Sequence, residues 1–328
     1  MIEYDLDTDH SILLVRPKSA LDSDDFDQLA KTVDPHIEAT GDLAGLIIDA
    51  PGFPGWDSFG AMAPACHDDR MTATPAPSSQ APDENSALAG YPVTAPPPLP
   101  GPVIFDQLWT DLTFVHWPVL PNSVAHLYPP ATRPDVFADG MTYVALVPFA
   151  MTGTKLGTAL PLPYFGSFLE TNIRLYSIGD AGRHGVLFRS LETARLAVVP
   201  VTRIGLGVPY TWARMRMTRS GNRITYDSVR RWPKRGLRSR LTIEIGGVVE
   251  PTPLEIWLTA RWGAHSRQGG RTWWVPNEHE TWSLHAAEIV ELADELRDAS
   301  GVRPGGQRLR ALYSPGMRTR FGRRCRVE

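Results

Sequence analysis

Cysteine and lysine are both scarce in this sequence. Of its 328 residues only Cys66 and Cys325 are cysteines, which is too few for a disulfide framework or for a zinc site built from cysteines. The lysines are Lys18, Lys31, Lys155 and Lys234, against 33 basic residues in total. Chemistry that needs a lysine nucleophile therefore has very few residues available to it.

Long apolar runs are missing as well. The longest, such as residues 143–151, are much shorter than the ~20 residues that a membrane helix requires. The acidic start at residues 1–5 lacks the basic region and the apolar stretch of a secretory signal. We therefore expect a soluble, cytoplasmic protein with no membrane partner.

Charge is distributed unevenly, although the formal net charge is only −3. Residues 1–62 contain thirteen acidic and three basic residues, a net charge of −10, whereas residues 105–328 carry +10. Residues 63–104 hold ten of the 30 prolines and few large apolar side chains, which is typical of a disordered linker. We therefore predict three regions with these boundaries.

Residues 1–62 have an α/β pattern. Apolar residues predict strands at 11–15 and 43–48, a helix at 22–33 and the start of a second helix at 56–62. After residue 62 this pattern stops, so the region is about half as long as a domain that covers both faces of its sheet.

Two segments of this region, 15–26 and 46–60, resemble the SpoIIAA-like branch of the STAS domains. In such anti-sigma-factor antagonists a serine of an Asp-Ser-Ser-Gly sequence accepts a phosphate. Here Phe59 replaces the second serine, which leaves Ser58 as a substitute acceptor. The region is expected to be a remnant joined to a complete second protein, with Met71 as a candidate for the original start. The competing hypothesis is a half-domain that completes itself against the rest of the chain or against a second copy.

Residues 105–328 contain short strand patterns separated by turn residues. The predicted strands are 141–151, 170–178, 186–191, 210–218, 223–230, 237–245 and 271–275. One helix is predicted near the end, because Ile289, Leu292, Ala293 and Leu296 share a helical face and Gly301 follows. The chain is therefore predicted to be α+β, with an antiparallel barrel or sandwich and a few helices in this region.

Five blocks in this region resemble the YqjF-like proteins of unknown function, a family grouped with the acetoacetate decarboxylase-like fold. In order they are DLTFVHWPV at 111–119, YVALVPF at 143–149, ETNIRLY at 170–176, PYTWARM at 209–215 and YSPG at 313–316. The resemblance implies an antiparallel barrel-like sheet around a ligand-sized cavity.

The same resemblance bears on lysine chemistry. The decarboxylases form a Schiff base through a lysine in a Pro-Lys-Lys segment, and Pro209-Tyr210-Thr211 corresponds to that segment here. Lys155 and Lys234 lie in turns, and we interpret both as surface lysines. If the chain is an enzyme, we expect a lyase-like or hydrolase-like activity without a Schiff base and without a cofactor.

Glu170, Asn172, Arg174 and Tyr176 recur with period two and so share one face of a strand. This face is either solvated, with weak ion pairs, or it lines the barrel, with Arg174 on a ligand carboxylate and Glu170 as the catalytic acid or base. The resemblance favours the second hypothesis, because a glutamate on the corresponding strand is part of the decarboxylase cavity. The predicted ligand-binding residues are Asn172, Arg174, Tyr176, Tyr210, Trp212 and Arg214.

The histidines and the arginine-rich strands are not predicted to form functional sites. His116 is predicted to be a structural histidine beside a buried tryptophan. The spacing of His265, His279 and His285 does not put two imidazoles on one helical face, and no metal site is predicted. Eleven basic residues within 203–240 alternate along strands as on a solvated sheet face, and no nucleic-acid partner is predicted.

These observations predict a barrel that holds a small organic molecule, namely a metabolite with a carboxylate or a carbonyl group. The alternative is a regulatory protein whose acidic residues 1–62 dock a protein partner. The identity of the ligand is left open. A homodimer is considered, although no motif requires one.

Overall fold

The computed structural model describes residues 2–18, 23–40, 43–49, 95–158, 160–161, 166–196 and 198–327. The predicted helix start at 56–62, Ser58 and most of the predicted linker lie outside these residues.

The residues described between positions 2 and 49, called the N-terminal part below, form a three-stranded sheet and one helix. Its elements are β1 (Ile2–Asp7), β2 (Ile12–Pro17), α1 (Ser23–Thr40) and β3 (Gly45–Ile48). β1 and β2 pair antiparallel, and β3 pairs parallel with β2 after the crossover through α1. Alternate residues Leu13 and Val15 on β2 and the i, i+4 pair Leu29 and Val33 on α1 are buried in one cluster. The predicted strands and helix are thereby confirmed.

The rest of the chain consists mainly of strands. In order the elements are β4 (Phe105–Val119), α2 (Pro121–Val124), β5 (Thr132–Pro134), β6 (Thr142–Leu156), β7 (Leu160–Pro161), β8 (Phe168–Gly179), β9 (His184–Thr193), α3 (Val198–Leu206), β10 (Tyr210–Ser220), β11 (Arg223–Trp232), β12 (Arg238–Val248), α4 (Pro253–Thr259), β13 (Gly263–Gln268), β14 (Arg271–His279), β15 (His285–Asp294), α5 (Leu296–Ala299), β16 (Ala311–Phe321) and β17 (Cys325–Arg326). All seven strands predicted in this region are present.

The strands close into two rings that have five strands in common, namely β9, β16, β4, β6 and β8. Nine strands form the first ring, in the order β9, β10, β11, β12, β15, β16, β4, β6 and β8, and β8 pairs back onto β9. The second ring runs through β9, β13, β14, β16, β4, β6 and β8. Neighbours pair antiparallel except β9 with β10 and β9 with β13. The predicted antiparallel barrel with few helices is confirmed, with two parallel pairings added to it.

The alternation of side chains along the shared strands creates two cores. On β6, Val144 and Leu146 belong to a core that receives side chains from all nine strands of the first ring. The intervening Ala145 and Val147 belong to the other core, together with Trp257 of α4. β6 is therefore apolar on both faces, which explains why its sequence is a continuous apolar run.

The helix predicted around Ile289 to Leu296 is wrong for most of its length. Residues 285–294 form β15, and only the short α5 follows. β15 has a bulge where it pairs with β12, between the partners of Thr242 and Ile243. The extra residue shifts the alternation, so Ile289 and Leu292 both pack on the first core at a spacing of three. A bulged strand therefore produced the apolar spacing of a helix.

The N-terminal part packs on the barrel through apolar side chains. Its cluster of Leu13, Leu29 and their neighbours also contains Val199 of α3 and Trp212 of β10. This contact agrees with the hypothesis that the half-domain completes itself against the rest of the chain. Among the described helices, none has both the length and the apolar character that crossing a bilayer demands.

Candidate functional site

The row of polar side chains on β8 is buried. Glu170 and Asn172 are each 3% exposed, Arg174 is 9% exposed and Tyr176 is fully buried. Glu170 lies opposite Phe149 of β6, a member of the second core, and Tyr176 belongs to that core as well. These side chains therefore face the second core, and the solvated sheet face considered as the alternative is excluded.

Glu170 makes two hydrogen bonds within this cluster. The Tyr210 hydroxyl donates to its Oε2 at 2.7 Å, and Asn172 Nδ2 donates to its Oε1 at 3.4 Å. Burial raises the pKa of Glu170 to about 7, and these two hydrogen bonds and the positive charge of Arg174 limit the rise. A carboxyl group with this pKa can either give or accept a proton near neutral pH.

Tyr210 is placed by the parallel pairing of β9 and β10. Its backbone lies opposite Leu191, and α3 supplies the crossover that two parallel neighbours require. Burial and the negative charge of Glu170 hold the pKa of Tyr210 well above its ordinary value. The phenol therefore stays protonated and remains a donor to Glu170.

Arg174 has an incomplete set of partners. Its guanidinium carbon lies 5.6 Å from the ring centroid of Phe114 and 5.9 Å from that of Tyr176. Its Nε is buried and has no hydrogen-bond partner, and within the described part of the chain Arg174 forms no ion pair with a carboxylate. A buried, charged donor of this kind is costly unless a partner satisfies it.

A second buried arginine adjoins the same tyrosine. Arg261 is 4% exposed, and its guanidinium carbon is 4.8 Å from the Tyr176 ring centroid and 4.0 Å from that of Trp257. Arg261 Nη1 pairs with Asp135, and its Nε donates to the carbonyl of Trp257 at 2.9 Å. Asp135 also bonds His184 Nδ1 at 2.7 Å.

Two histidines near these arginines, His116 and His279, have lowered pKa values. His116 Nε2 lies 2.7 Å from the Tyr176 hydroxyl, and burial, followed by the charges of Arg174 and Arg261, holds its pKa well below its ordinary value. Burial also lowers the pKa of His279 to about 4. His116 is thus an uncharged partner of Tyr176 next to the buried Trp117, which fits its predicted structural role.

His265 and His285, which the sequence analysis considered together with His279, lie elsewhere. His265 Nδ1 is 2.8 Å from the Ser177 hydroxyl, while His285 on β15 bonds the carbonyl of Gly246 at 3.3 Å. His265, His279 and His285 therefore have separate environments, and the described residues hold no group of three or more His, Cys, Asp or Glu side chains arranged for a metal ion.

Two of the predicted ligand-binding residues are not part of this cluster. Trp212 is buried among the side chains of the N-terminal part, and Arg231 covers its ring at 4.8 Å. Arg214 is exposed. The bulge between Trp212 and Ala213 in the pairing of β10 with β11 places its extra residue, Arg231, on β11. Tyr210 and Trp212 pack on the same N-terminal cluster, and the Tyr210 hydroxyl reaches Glu170.

The lysines are all outside the cluster. Lys155 is half-buried on β6, and the other three lysines of the sequence are exposed. The place that the family resemblance assigned to a lysine pair is filled by Tyr210, which bonds Glu170 directly. A buried lysine beside Glu170 is therefore absent from this protein.

Arg261, Asp135 and Trp257 were not identified from the sequence as site residues. Asp135 and Arg261 are 126 positions apart, and no short motif joins them. One signal was present, because Arg261 interrupts the apolar run from Trp257 to Trp262, and a charged residue in such a run indicates either a buried pair or a site.

Comparisons with known proteins agree with the fold. A family model, DUF2071, described as an uncharacterized conserved protein, matches residues 106–318. The uncharacterized protein YqjF of Bacillus subtilis (strain 168) is 27% identical over 201 residues, which cover 61% of this chain and 82% of that protein. The matched residues begin after the N-terminal part, so its STAS-like interpretation stays a prediction.

Solved structures of the same fold are more distant in sequence. An acetoacetate decarboxylase-like enzyme from Sphingomonas wittichii RW1 matches with a TM-score of 0.50 and 15% identity over 68% of this chain and 93% of that one. The enduracididine biosynthesis enzyme MppR, complexed with the condensation product of pyruvate and imidazole 4-carboxaldehyde, matches with a TM-score of 0.50 and 12% identity over 70% of this chain and 90% of that one. At these identities the likeness concerns the fold alone.

Proposed function

The chain belongs to the DUF2071 family, and from that premise we propose that its barrel binds a small organic molecule through a carboxylate group. The observation that carries the proposal is Arg174, a buried arginine whose Nε has no partner and which shares the buried face of β8 with the carboxyl group of Glu170. Glu170, Asn172, Arg174, Tyr176 and Tyr210 would surround the bound molecule.

The energetics of Arg174 support an anionic ligand. Placing a guanidinium group in a protein interior costs several kcal/mol unless hydrogen bonds and an opposite charge offset the loss of hydration. A ligand carboxylate supplies both, because it accepts from guanidinium N–H groups at short distance and carries the opposite charge. Neutral ligands would leave the charge of Arg174 without compensation.

Glu170 supports a reaction as well as binding. Its pKa of about 7 suits proton transfer at neutral pH, and the Tyr210 hydroxyl keeps it oriented. With no buried lysine, an activity of this site would be lyase-like or hydrolase-like and would proceed without a Schiff base. Pyruvate-derived molecules bind the similarly folded MppR, which makes small 2-oxo acids a reasonable first class to test.

The test compares carboxylates with neutral analogues on the full-length protein. Acetate, pyruvate and butanoate are titrated against acetone and methyl pyruvate, and the rise in melting temperature and the heat of binding are recorded. At least one carboxylate should bind, and Arg174→Gln should weaken it about tenfold or more, since a hydrogen bond to a charged group is worth roughly 1.5–3 kcal/mol.

Arg214→Gln is the matched control, because it removes an exposed arginine of the same region. It should leave carboxylate binding unchanged. The Arg174→Gln variant should fold, since the change removes an uncompensated buried charge. If no carboxylate binds, or if Arg174→Gln binds like the wild type, the proposal is wrong.

A further inference from the structure

Three buried N–H groups without partners surround the Tyr176 ring. They are Arg174 Nε, Arg261 Nη2 and Trp257 Nε1, and the exposed fractions of the three side chains are 9%, 4% and 2%. Both guanidinium carbons lie within 6 Å of the Tyr176 ring centroid, and the ring centroid of Trp257 lies 5.4 Å from it. The unsatisfied donors therefore belong to one neighbourhood.

All three groups require an acceptor. Guanidinium and indole N–H groups can only donate, so a water or ligand that serves them must present oxygen lone pairs. The side chains of Arg261 and Trp257 are in direct contact, because the guanidinium carbon of Arg261 lies 4.0 Å from the Trp257 ring centroid. Arg174 is the third donor and approaches the same tyrosine ring from β8.

While Glu170 is protonated, positive charge exceeds negative charge among Arg174, Arg261, Asp135 and Glu170. Arg174 and Arg261 contribute two positive charges, and the carboxylate in contact with Arg261 is Asp135, which His184 also contacts. Glu170 is the other nearby carboxyl group, and it already accepts hydrogen bonds from Tyr210 and Asn172. A single ligand carboxylate on Arg174 would still leave the donors at Arg261 and Trp257 without a partner.

We propose that Arg261 Nη2 and Trp257 Nε1 form a second anion-binding position next to Arg174, so that the ligand of this barrel is a small dicarboxylate. The proposal rests on the proposed function and narrows its ligand class. One carboxylate pairs with Arg174 near Glu170, and the other accepts from Arg261 and Trp257. Because both arginines adjoin one tyrosine ring, the chain between the two carboxylates is short, as in succinate.

The experiment compares succinate with butanoate, which has the same number of carbon atoms and one carboxylate. Both are titrated into the full-length protein by calorimetry. Succinate should bind about tenfold more tightly or better, which corresponds to one additional hydrogen bond to a charged group. Monomethyl succinate, which has the second carboxylate masked, should bind like butanoate.

Two variants test whether Trp257 and Arg261 form the second anion-binding position. Trp257→Phe removes one donor and keeps an aromatic ring, and Arg261→Gln combined with Asp135→Asn removes the charge without leaving Asp135 unpaired. Both should lower the affinity for succinate to about that for butanoate, while the affinity for butanoate stays as in the wild type. Arg174→Gln should weaken both ligands instead.

The outcomes separate this inference from the proposed function. If neither succinate nor butanoate binds, the carboxylate site itself is wrong. If both bind equally well to the wild type, or if Trp257→Phe and the double variant keep the preference for succinate, the second position is wrong and the first one stands. If the variants do not fold, the comparison of succinate with its monomethyl ester on the wild type decides.

Discussion

Glu170 couples its protonation to the stability of the fold. Burial raises its pKa from the ordinary value of 4.5 to about 7, so near pH 6 the folded protein retains a proton that the unfolded chain releases. The free energy of unfolding therefore receives no penalty from Glu170 below pH 4.5. It falls as the pH rises from 4.5 through about 7, and at higher pH the loss stays constant.

The Glu170→Gln variant should therefore gain stability relative to the wild type as the pH rises. Its amide does not ionise and can still accept a hydrogen bond from Tyr210. Each pKa unit corresponds to ~1.4 kcal/mol, so the advantage in unfolding free energy should be roughly 3 kcal/mol larger at pH 8 than at pH 4. Urea unfolding at several pH values measures this difference.

The exposed carboxyl group of Glu288 on β15 provides the control. Glu288→Gln should change the unfolding free energy by no more than about 0.5 kcal/mol, as is usual for a surface substitution. If Glu170→Gln shows no larger change between pH 4 and pH 8, Glu170 does not have a raised pKa and its proposed acid–base role loses its support.

At the scale of the elements, a buried ion pair crosses β10. Glu192 on β9 lies opposite Thr211, and Arg230 on β11 lies opposite Ala213. The two side chains meet over β10, where Arg230 Nε donates to Glu192 Oε2 at 3.0 Å. Ala213 is small, which leaves room above the strand for this contact. The pair thus connects three strands next to the one parallel junction that positions Tyr210.

Arg230→Met should be strongly destabilising. Glu192 is fully buried and would lose its hydrogen-bonded partner, and breaking a buried pair from one side typically costs about 3–5 kcal/mol. The Glu192→Leu, Arg230→Met double variant should be less destabilised than Arg230→Met alone, because no isolated charge remains. Chemical denaturation of the variants measures both effects.

The matched control is the exposed pair of Arg223 and Glu244, which joins β11 to β12. Arg223→Met should change the unfolding free energy by at most about 1 kcal/mol, because water screens exposed pairs. Equal costs for Arg230→Met and Arg223→Met would show that the pair across β10 contributes no more than a surface contact.

At the scale of the whole molecule, the N-terminal part and the barrel share a core. Leu13 of β2 is fully buried in the cluster that includes Val199 and Trp212 of the barrel, and Tyr210 packs at the border of that cluster while bonding Glu170. Removing the N-terminal part would expose this apolar surface, and burial of each large side chain contributes about 1.5–3 kcal/mol.

A protein consisting of residues 71–328 should therefore be less soluble and melt at a lower temperature than the full chain. In the full chain, Leu13→Asp should lower the melting temperature because it buries a charge. Ile47→Asp is the control, since Ile47 is 52% exposed and should tolerate the change. A truncated protein with an unchanged melting temperature would mean that the N-terminal part is an independent appendage.

Much of the fold was predictable from the order of residues. Alternation and turn residues identified the strands β6, β8 to β12 and β14, because short antiparallel strands carry local signals. The helix predicted around Ile289 failed because a bulge depends on the partner strand. Trp212 and Arg214 share the period of Tyr210 in the sequence, but Trp212 is covered by the N-terminal part and Arg214 is exposed, which depends on tertiary packing.

The sequence by itself determined that Glu170, Asn172, Arg174 and Tyr176 share a face, because the geometry of a strand makes alternate residues neighbours. It also determined that lysine chemistry is excluded from the position of Tyr210. Only the tertiary structure decided that this face is buried and that Arg261 and Trp257 join it from elements more than 80 residues away. Burial and long-range contacts depend on which sheets pack together, and the closure of two rings through the shared strands is what encloses these charges.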